Sequence, residues 1–126
     1  MKSLNFTILE DNFTIHRLGT EAAIPQAVFA SPFYAIAKSE NELSIVIAEG
    51  IPIESDQSES GWSVLRVEGS LDFSLTGILA GIASTLAGAG ISIFAVSTFD
   101  TDYVLVRHER LEATKAALMA AGHKFG

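Results

Sequence analysis

Two short segments of the chain carry the polar side chains whose types and spacing suit the binding of a small molecule. Asp72–Gly77 supplies a carboxylate, two hydroxyls and a glycine, and Thr98–Asp102 supplies two carboxylates and two hydroxyls. No serine stands in a nucleophile-elbow pattern, and the histidines lack the spacing of metal ligands. We therefore expect a binding site rather than a catalytic or metal centre, and surface or hairpin positions for His16, His108 and His123.

The first segment delivers the chain to a helical pattern that begins near Ile78. Ser74 or Thr76 could cap this helix, and the free N–H groups of its first turn favour an anion such as a carboxylate. Gly77 would let a ligand lie close to the backbone. The alternative is that the hydroxyls are only caps and that Gly77 only permits close packing of the helix on a sheet.

The second segment joins two apolar strand patterns. In an extended chain Asp100 and Asp102 face the same way, and carboxylates there could hold an ammonium or guanidinium group. The alternative is that aspartate and threonine are ordinary turn residues here. Considered together, a carboxylate-binding helix start beside an acidic strand end predicts a site for a free amino acid.

The elements that must position these segments follow from the hydrophobic pattern. Residues 61–126 are typical of a β-α-β-β-α-β order, the order of a ferredoxin-like split βαβ unit. Residues 1–60 indicate a hairpin of Leu4–Leu9 with Phe13–Leu18, a short helix within Gly19–Ala30, a second hairpin, and an acidic linker at Glu54–Ser60. We therefore expect two units, 1–60 and 61–126.

Composition excludes several classes of function. The 126 residues carry a net charge of −7 with no basic stripe, which disfavours nucleic acid as a partner. No apolar run approaches the roughly 20 residues that span a bilayer, so no membrane partner is expected. Cysteine is absent and 48% of residues are hydrophobic. These features favour a cytoplasmic protein whose excess apolar surface lies in a homodimer interface.

The residues of the second half resemble a known family. Leu65–Gly69, Leu71–Leu79 and Gly90–Val106 resemble the ACT domain, in the branch of small bacterial tandem-ACT proteins and Castor-type amino-acid sensors. The resemblance implies an α+β fold of two ferredoxin-like ACT units (βαββαβ, the first reduced), with antiparallel sheets and helices on one face. It also implies a non-enzymatic protein with no cofactor and no metal.

The resemblance further implies a regulatory or sensor protein that binds an amino acid at an ACT–ACT interface. Thr76, Gly77 and Ile78 would hold the ligand carboxylate, and Asp102 would face a cationic group. The whole expected set comprises Asp72, Ser74, Leu75, Thr76, Gly77, Ile78, Phe94, Thr98, Phe99, Asp100 and Asp102. The expected partners are a small-molecule amino acid, a second copy, and a regulated enzyme or regulator. The alternative is a ligand-free oligomerisation or protein-interaction module.

Overall fold

The fold is mixed α+β with mostly antiparallel strand pairing. A computed structural model describes residues 3–69 and 77–126. Its strands are β1 (Asn5–Ile8), β2 (Phe13–Leu18), β3 (Ala35–Lys38), β4 (Leu43–Ala48), β5 (Gln57–Val67), β6 (Phe94–Ser97), β7 (Asp102–Arg107) and β8 (Lys124–Phe125). Its helices are α1 (Ile78–Gly88) and α2 (Leu111–Ala120), with short 3-10 helices at Gln26–Ala30 and His108–Arg110. No helix among the described residues is long and apolar enough to cross a membrane.

The chain divides into two compact units that do not follow one another in sequence. Met1–Glu10 and Ser63–Gly126 form the first, called here the split unit. Asp11–Trp62 forms the second, called the inserted unit because its sequence interrupts that of the first. Strand β5 therefore contributes residues 57–62 to the inserted unit and residues 63–67 to the split unit.

The split unit contains the elements of the expected β-α-β-β-α-β order, with one strand added. Its strand order is β6-β7-β5-β1-β8, in which β1 pairs antiparallel with β5 and parallel with β8. The N-terminal strand thus lies between the first and last strands of the ferredoxin-like pattern. Both helices pack on one face of this sheet, where alternate strand residues form an apolar core with them: Leu4, Phe6, Leu65, Val67, Ile82, Leu86, Ile91, Val104, Val106 and Leu118.

The inserted unit is a smaller sheet with its own core. Its order is β3-β4-β2 followed by residues 57–62 of β5, and all three pairings are antiparallel. Alternate residues of β2 and β4 meet the 3-10 helix in a second apolar cluster of Leu18, Val28, Leu43, Ile45 and Ile47. This is the reduced unit that the resemblance implies, since a 3-10 helix replaces the full helices.

Two expectations for the first half are wrong. The predicted hairpin of Leu4–Leu9 with Phe13–Leu18 does not form, because β1 and β2 each pair with a different part of β5. The predicted linker Glu54–Ser60 is in part a strand, since residues 57–59 pair with Arg17, His16 and Ile15. The second error arises because the exposed polar residues at the start of β5 give no hydrophobic alternation that would indicate a strand.

Helix α1 is terminated by a glycine in the left-handed conformation. Gly90 has φ +73°, the left-handed conformation that glycine adopts without steric cost. Its N–H donates to the Ala87 carbonyl at 3.0 Å, and the Ile91 N–H donates to the Leu86 carbonyl at 2.9 Å. This pair of bonds is a Schellman motif. It returns the chain to the sheet at Ile91, which is buried in the core of the split unit.

Candidate functional site

The Thr98–Asp102 segment is the turn of the β6–β7 hairpin. Ser97 and Asp102 are opposite one another, and the Ser97 hydroxyl donates to Asp102 Oδ1 at 2.6 Å. The Thr98 N–H and Oγ1 both donate to the Thr101 carbonyl, at 2.8 and 3.0 Å, and the Thr101 N–H donates back to Thr98 Oγ1 at 3.2 Å. The turn is therefore organised by its own polar groups, and the hydroxyl of Thr98 is used within it.

A single buried hydrogen bond fixes this turn to the end of β5. Thr101 is 7% exposed, and its Oγ1 donates to the Val67 carbonyl at 2.8 Å. Val67 is the last residue of β5, immediately before the segment that leads to α1. The strand exit and the hairpin turn, which the sequence analysis assigned to one site, thus lie at the same edge of the split unit.

The side of the sheet on which Asp102 lies follows from strand alternation. Every second residue of a strand lies on the same face of the sheet. Val104 and Val106 of β7 lie on the face that the helices cover, in the core. Asp102 is two residues before Val104, so it lies on that same face, as does its strand partner Ser97. Helix α1 is the next element along the chain after the edge where β5 ends. Asp102 therefore points from the helix-covered side at that edge, and the residue is half-buried.

The start of α1 depends on backbone conformation at Gly77. Gly77 is the N-cap residue with φ +80° and ψ 0°. Ser74 and Thr76, the expected caps, lie outside the described residues. A Cβ added to Gly77 would meet nothing within 4 Å, so close packing does not explain the glycine; the left-handed φ does. The first N–H groups of α1 have no partner within the helix. Ile78 packs its side chain against the core.

The remaining predicted site residues differ in their surroundings. Asp72, Ser74, Leu75 and Thr76 lie outside the described residues. Asp100 is exposed at the turn, and Phe99 is 80% exposed, an unusual position for so large an apolar side chain. Phe94 is half-buried at the opposite end of β6 from the turn, where it pairs with Leu105. The structure therefore groups Thr98, Phe99, Asp100 and Asp102, and places Phe94 apart from them.

A polar network that is not among the predicted site residues lies at the same end of β5. Arg66 Nη2 lies 3.2 Å from Glu68 Oε1, and the Thr7 hydroxyl donates to the same oxygen at 2.5 Å. The hydrogen bond from Arg66, and then that from Thr7, lowers the pKa of Glu68. The hydrogen bond to Glu68 raises the pKa of Arg66, and Tyr103 adds to that rise. The alternation of Arg66 and Glu68 along one strand was the available signal.

Of the three histidines, which were expected at surface or hairpin positions, His108 is at the surface and two are buried. His16 is 7% exposed with Nδ1 2.9 Å from Ser55 Oγ, and His123 is 4% exposed. His108 is exposed, and its Nδ1 lies 2.8 Å from Ser63 Oγ. Within residues 3–69 and 77–126, no three His, Cys, Asp or Glu side chains are grouped so as to hold a metal ion.

Two family models match the chain. The model of the ACT domain matches residues 57–120, from the start of β5 to the end of α2. A second model, which describes an N-terminal domain, matches residues 11–54, within the inserted unit.

Curated relatives are longer than this chain. The protein named "Cytosolic arginine sensor for mTORC1 subunit 1" of Mus musculus is 35% identical over 115 residues, which cover 83% of this chain and 34% of the relative. The protein of that name from Homo sapiens is 36% identical over 109 residues, or 79% and 33% of the two chains. The chain therefore spans about a third of the length of these relatives.

Solved structures share the fold over the whole chain. A protein from Agrobacterium tumefaciens is 37% identical with a TM-score of 0.92, and the match covers 100% of this chain and 94% of that one. The ligand-free regulatory subunit of aspartate kinase from Thermus thermophilus has a TM-score of 0.68 at 14% identity, over 96% and 99% of the two chains. The second likeness shows the fold alone. Together with the match over residues 57–120, the first shows that this chain belongs to the ACT domain family.

Proposed function

We propose that this chain is a non-catalytic regulatory protein that binds a free amino acid at the edge where β5 and β6 end. The α-carboxylate would bind the N–H groups at Gly77 and Ile78, and Asp102 would accept hydrogen bonds from a cationic group of the ligand. Thr98, Phe99 and Asp100 would line the hairpin side. Asp72, Ser74, Leu75 and Thr76 belong to the proposal by their place in the sequence between β5 and α1.

One observation carries this proposal: the 2.8 Å hydrogen bond from Thr101 to the Val67 carbonyl. It holds the acidic turn beside the strand from which the chain departs toward the positive end of α1. An anion is favoured at a helix N-terminus, and a cation is favoured beside a carboxylate. An amino-acid zwitterion carries an ammonium and a carboxylate group on one carbon atom, so this edge suits an amino acid better than it suits a simple anion or a simple cation.

The relatives support the same ligand class. The curated sensors are named for arginine, and one solved structure with the fold is Escherichia coli aspartokinase III in complex with aspartate and ADP, at 14% identity and a TM-score of 0.61. Because Asp102 and Asp100 are both acidic, a basic amino acid is the first candidate ligand. We place the protein in the cytoplasm with a regulated enzyme or regulator as its partner.

The direct test is thermal unfolding of the full chain in the presence of each of the twenty amino acids. A ligand present at about 100 times its Kd stabilises a protein by about 2.7 kcal/mol. For a chain of this length that corresponds to a rise in Tm of roughly 10 °C. No response to any amino acid would overturn the proposal and leave the ligand-free interaction module as the function.

The matched variants for this test are Asp102→Asn and Asp11→Asn. Asparagine at 102 can still accept the hydrogen bond from Ser97, so the turn is kept while the charge is removed. We expect Asp102→Asn to bind a basic amino acid about tenfold more weakly, the loss of one charge-assisted hydrogen bond. Asp11 is an exposed aspartate outside the site, and its variant should bind as the parent does. Equal affinity in both variants would remove Asp102 from the site.

The proposed oligomer is a homodimer in which ACT domains of two copies meet at this edge. The 80% exposed Phe99 at the turn is the side chain that such a contact would cover. Sedimentation should give a dimer for the parent and a weaker dimer for Phe99→Ser. A parent that sediments as a monomer with and without its amino acid would refute the dimer while leaving ligand binding to be judged by the thermal data.

A further inference from the structure

The inserted unit contains an open cleft that the proposed amino-acid site does not use. Its volume is about 680 Å³, within the range of small-molecule sites. All of its lining residues belong to the inserted unit, and none belongs to the hairpin turn or to α1. Leu18 and Ile53 give the lining an apolar part, and two serines and two acidic residues give it hydroxyls and carboxylates.

A buried imidazole lies at the base of this cleft. His16 is 93% buried on β2, opposite Ser58 of β5, and on the face that carries the apolar cluster of the unit. Its Nδ1 is bonded to the Ser55 hydroxyl at 2.9 Å, which leaves Nε2 without a hydrogen bond to the described part of the chain. Burial lowers the pKa of His16, so the ring is neutral at neutral pH. A neutral imidazole with one nitrogen already bonded has the other available to a guest.

The formal charges of the cleft are all negative. Glu54 and Asp56 line it and are exposed, on either side of the serine that holds His16. The Asp56 N–H donates to the Arg17 carbonyl at 2.9 Å, which fixes this acidic segment against β2. The Arg17 guanidinium lies 3.9 Å from Asp56, with both side chains exposed. Counted with Glu54 and Asp56, Arg17 leaves a net formal charge of −1 beside the cleft.

From this geometry we infer that the cleft binds a small organic cation, an ammonium or guanidinium group carried on a short apolar body. The apolar body would lie against Leu18 and Ile53, and the charged group would face Glu54 and Asp56. The proposal is independent of the amino-acid site, because no lining residue is shared. A bare metal ion fits poorly, since no group of three metal-ligating side chains occurs among residues 3–69 and 77–126.

The test uses the full chain and three probes that differ only in their polar group: butylammonium, butanol and butyrate. Titrations followed by ¹H–¹⁵N NMR report both the backbone amides and the ring nitrogens of His16. We expect butylammonium to shift the signals of His16, Ser55 and Ser58 with a Kd on the order of 10 mM, as suits so small a probe. Butanol should bind more weakly, and butyrate should not bind.

Substitutions of the exposed carboxylates of the cleft test whether charge selects the ligand, without disturbing the core. Glu54→Gln and Asp56→Asn together should weaken butylammonium binding about tenfold, since each exposed carboxylate is worth a factor of about three. Glu40→Gln removes an exposed carboxylate elsewhere in the same unit and should leave the Kd unchanged. Failure here and failure of the amino-acid site are separately visible, because the signals followed belong to His16, Ser55 and Ser58 and not to the hairpin turn.

Three results would overturn the inference. The first is equal binding of butanol and butylammonium, which would show an apolar crevice without selection for charge. The second is an unchanged Kd in the double variant. The third is a set of shifts confined to residues 97–102, which would assign the cation to the hairpin turn instead.

Discussion

The hydrogen bond between Thr101 and Val67 gives the sharpest prediction about how the fold supports the site. Valine has nearly the shape of threonine but no hydroxyl, so Thr101→Val removes this one bond and preserves the volume. A net intramolecular hydrogen bond is worth about 1 kcal/mol, and a buried carbonyl that loses its partner adds to the loss. Because Thr101 is 7% exposed, water cannot readily replace the donor. We expect the free energy of unfolding to fall by about 1.5 kcal/mol.

The assay is thermal and urea unfolding of Thr101→Val beside Thr101→Ser. For a chain of this length, a loss of 1.5 kcal/mol lowers the Tm by roughly 6 °C. Serine keeps the hydroxyl, so its variant should lose only the contribution of one methyl group, up to about 0.8 kcal/mol. Faster amide exchange at Thr98 and Thr101 should accompany the valine variant, because the turn is released from β5.

Ligand binding separates a role in the site from a role in stability alone. Under the proposed function, Thr101→Val also weakens amino-acid binding, since it releases the turn that carries Asp102, whereas Thr101→Ser binds normally. A valine variant as stable as the serine variant would refute the structural reasoning. A valine variant that is destabilised but binds with unchanged affinity would instead refute the link between this bond and the site.

Further predictions concern titration, backbone conformation and the core. His123 accepts the Leu4 N–H at Nδ1 (3.0 Å), and burial lowers the pKa of His123 below the ordinary 6.5. The folded chain therefore binds fewer protons than the unfolded chain and should lose stability as the pH falls below about 6.5. Urea midpoints at neutral and acid pH measure this loss, and His123→Gln should make the midpoint depend less on pH than His108→Gln does. Gly77→Ala should lower the free energy of unfolding by about 1–2 kcal/mol because φ at Gly77 is +80°. Gly88 is helical, so Gly88→Ala should raise the free energy of unfolding by up to about 1 kcal/mol. Equal Tm values for the two variants would contradict this argument from backbone conformation. Leu86→Ala should cost about 2–5 kcal/mol in chemical denaturation, and a loss below 1 kcal/mol would mean that α1 is not packed as described.

The second half of the chain was predictable because its signals are local. The 3.6-residue pattern of Ile78, Ile82 and Leu86 defines the buried face of α1, and the glycines after each helix mark its end. The hairpin turn followed from a polar run between two apolar strands. Such signals need no knowledge of distant residues, and the β-α-β-β-α-β order was therefore correct.

The strand partners of β1 were not predictable because pairing is a long-range choice. Asn5 and Phe6 pair with Lys124 and Phe125, and Phe6 also pairs with Val67. The alternation of Leu4–Leu9 does not indicate whether this strand pairs with β5 and β8 or with the neighbouring Phe13–Leu18. Each of these partners offers an apolar face with the same two-residue period. Sequence proximity favours the hairpin, and the structure instead uses both chain ends to complete one sheet.

The site shows the same division between local and long-range information. The sequence indicates aspartates in a turn and a glycine before a helix. It does not indicate which polar groups already form hydrogen bonds within the folded chain. The hydroxyl of Thr98 bonds within its own turn, and that of Thr101 bonds to Val67, so neither threonine needs a ligand for its hydrogen bonding. Thr101 therefore stabilises the fold, although it lies in a segment with the composition of a binding loop.

The position of the site and the choice of ligand have different physical origins. For the proposed site, the position follows from chain order: β5 is followed along the chain by α1, and the β6–β7 turn is tied to the end of β5 by Thr101. The charge of the ligand depends on side chains that the turn presents outward, and Asp102 can change without moving a single backbone hydrogen bond. Under the proposed function, a substitution at Asp102 should therefore change which amino acid binds and leave the position of the site unchanged.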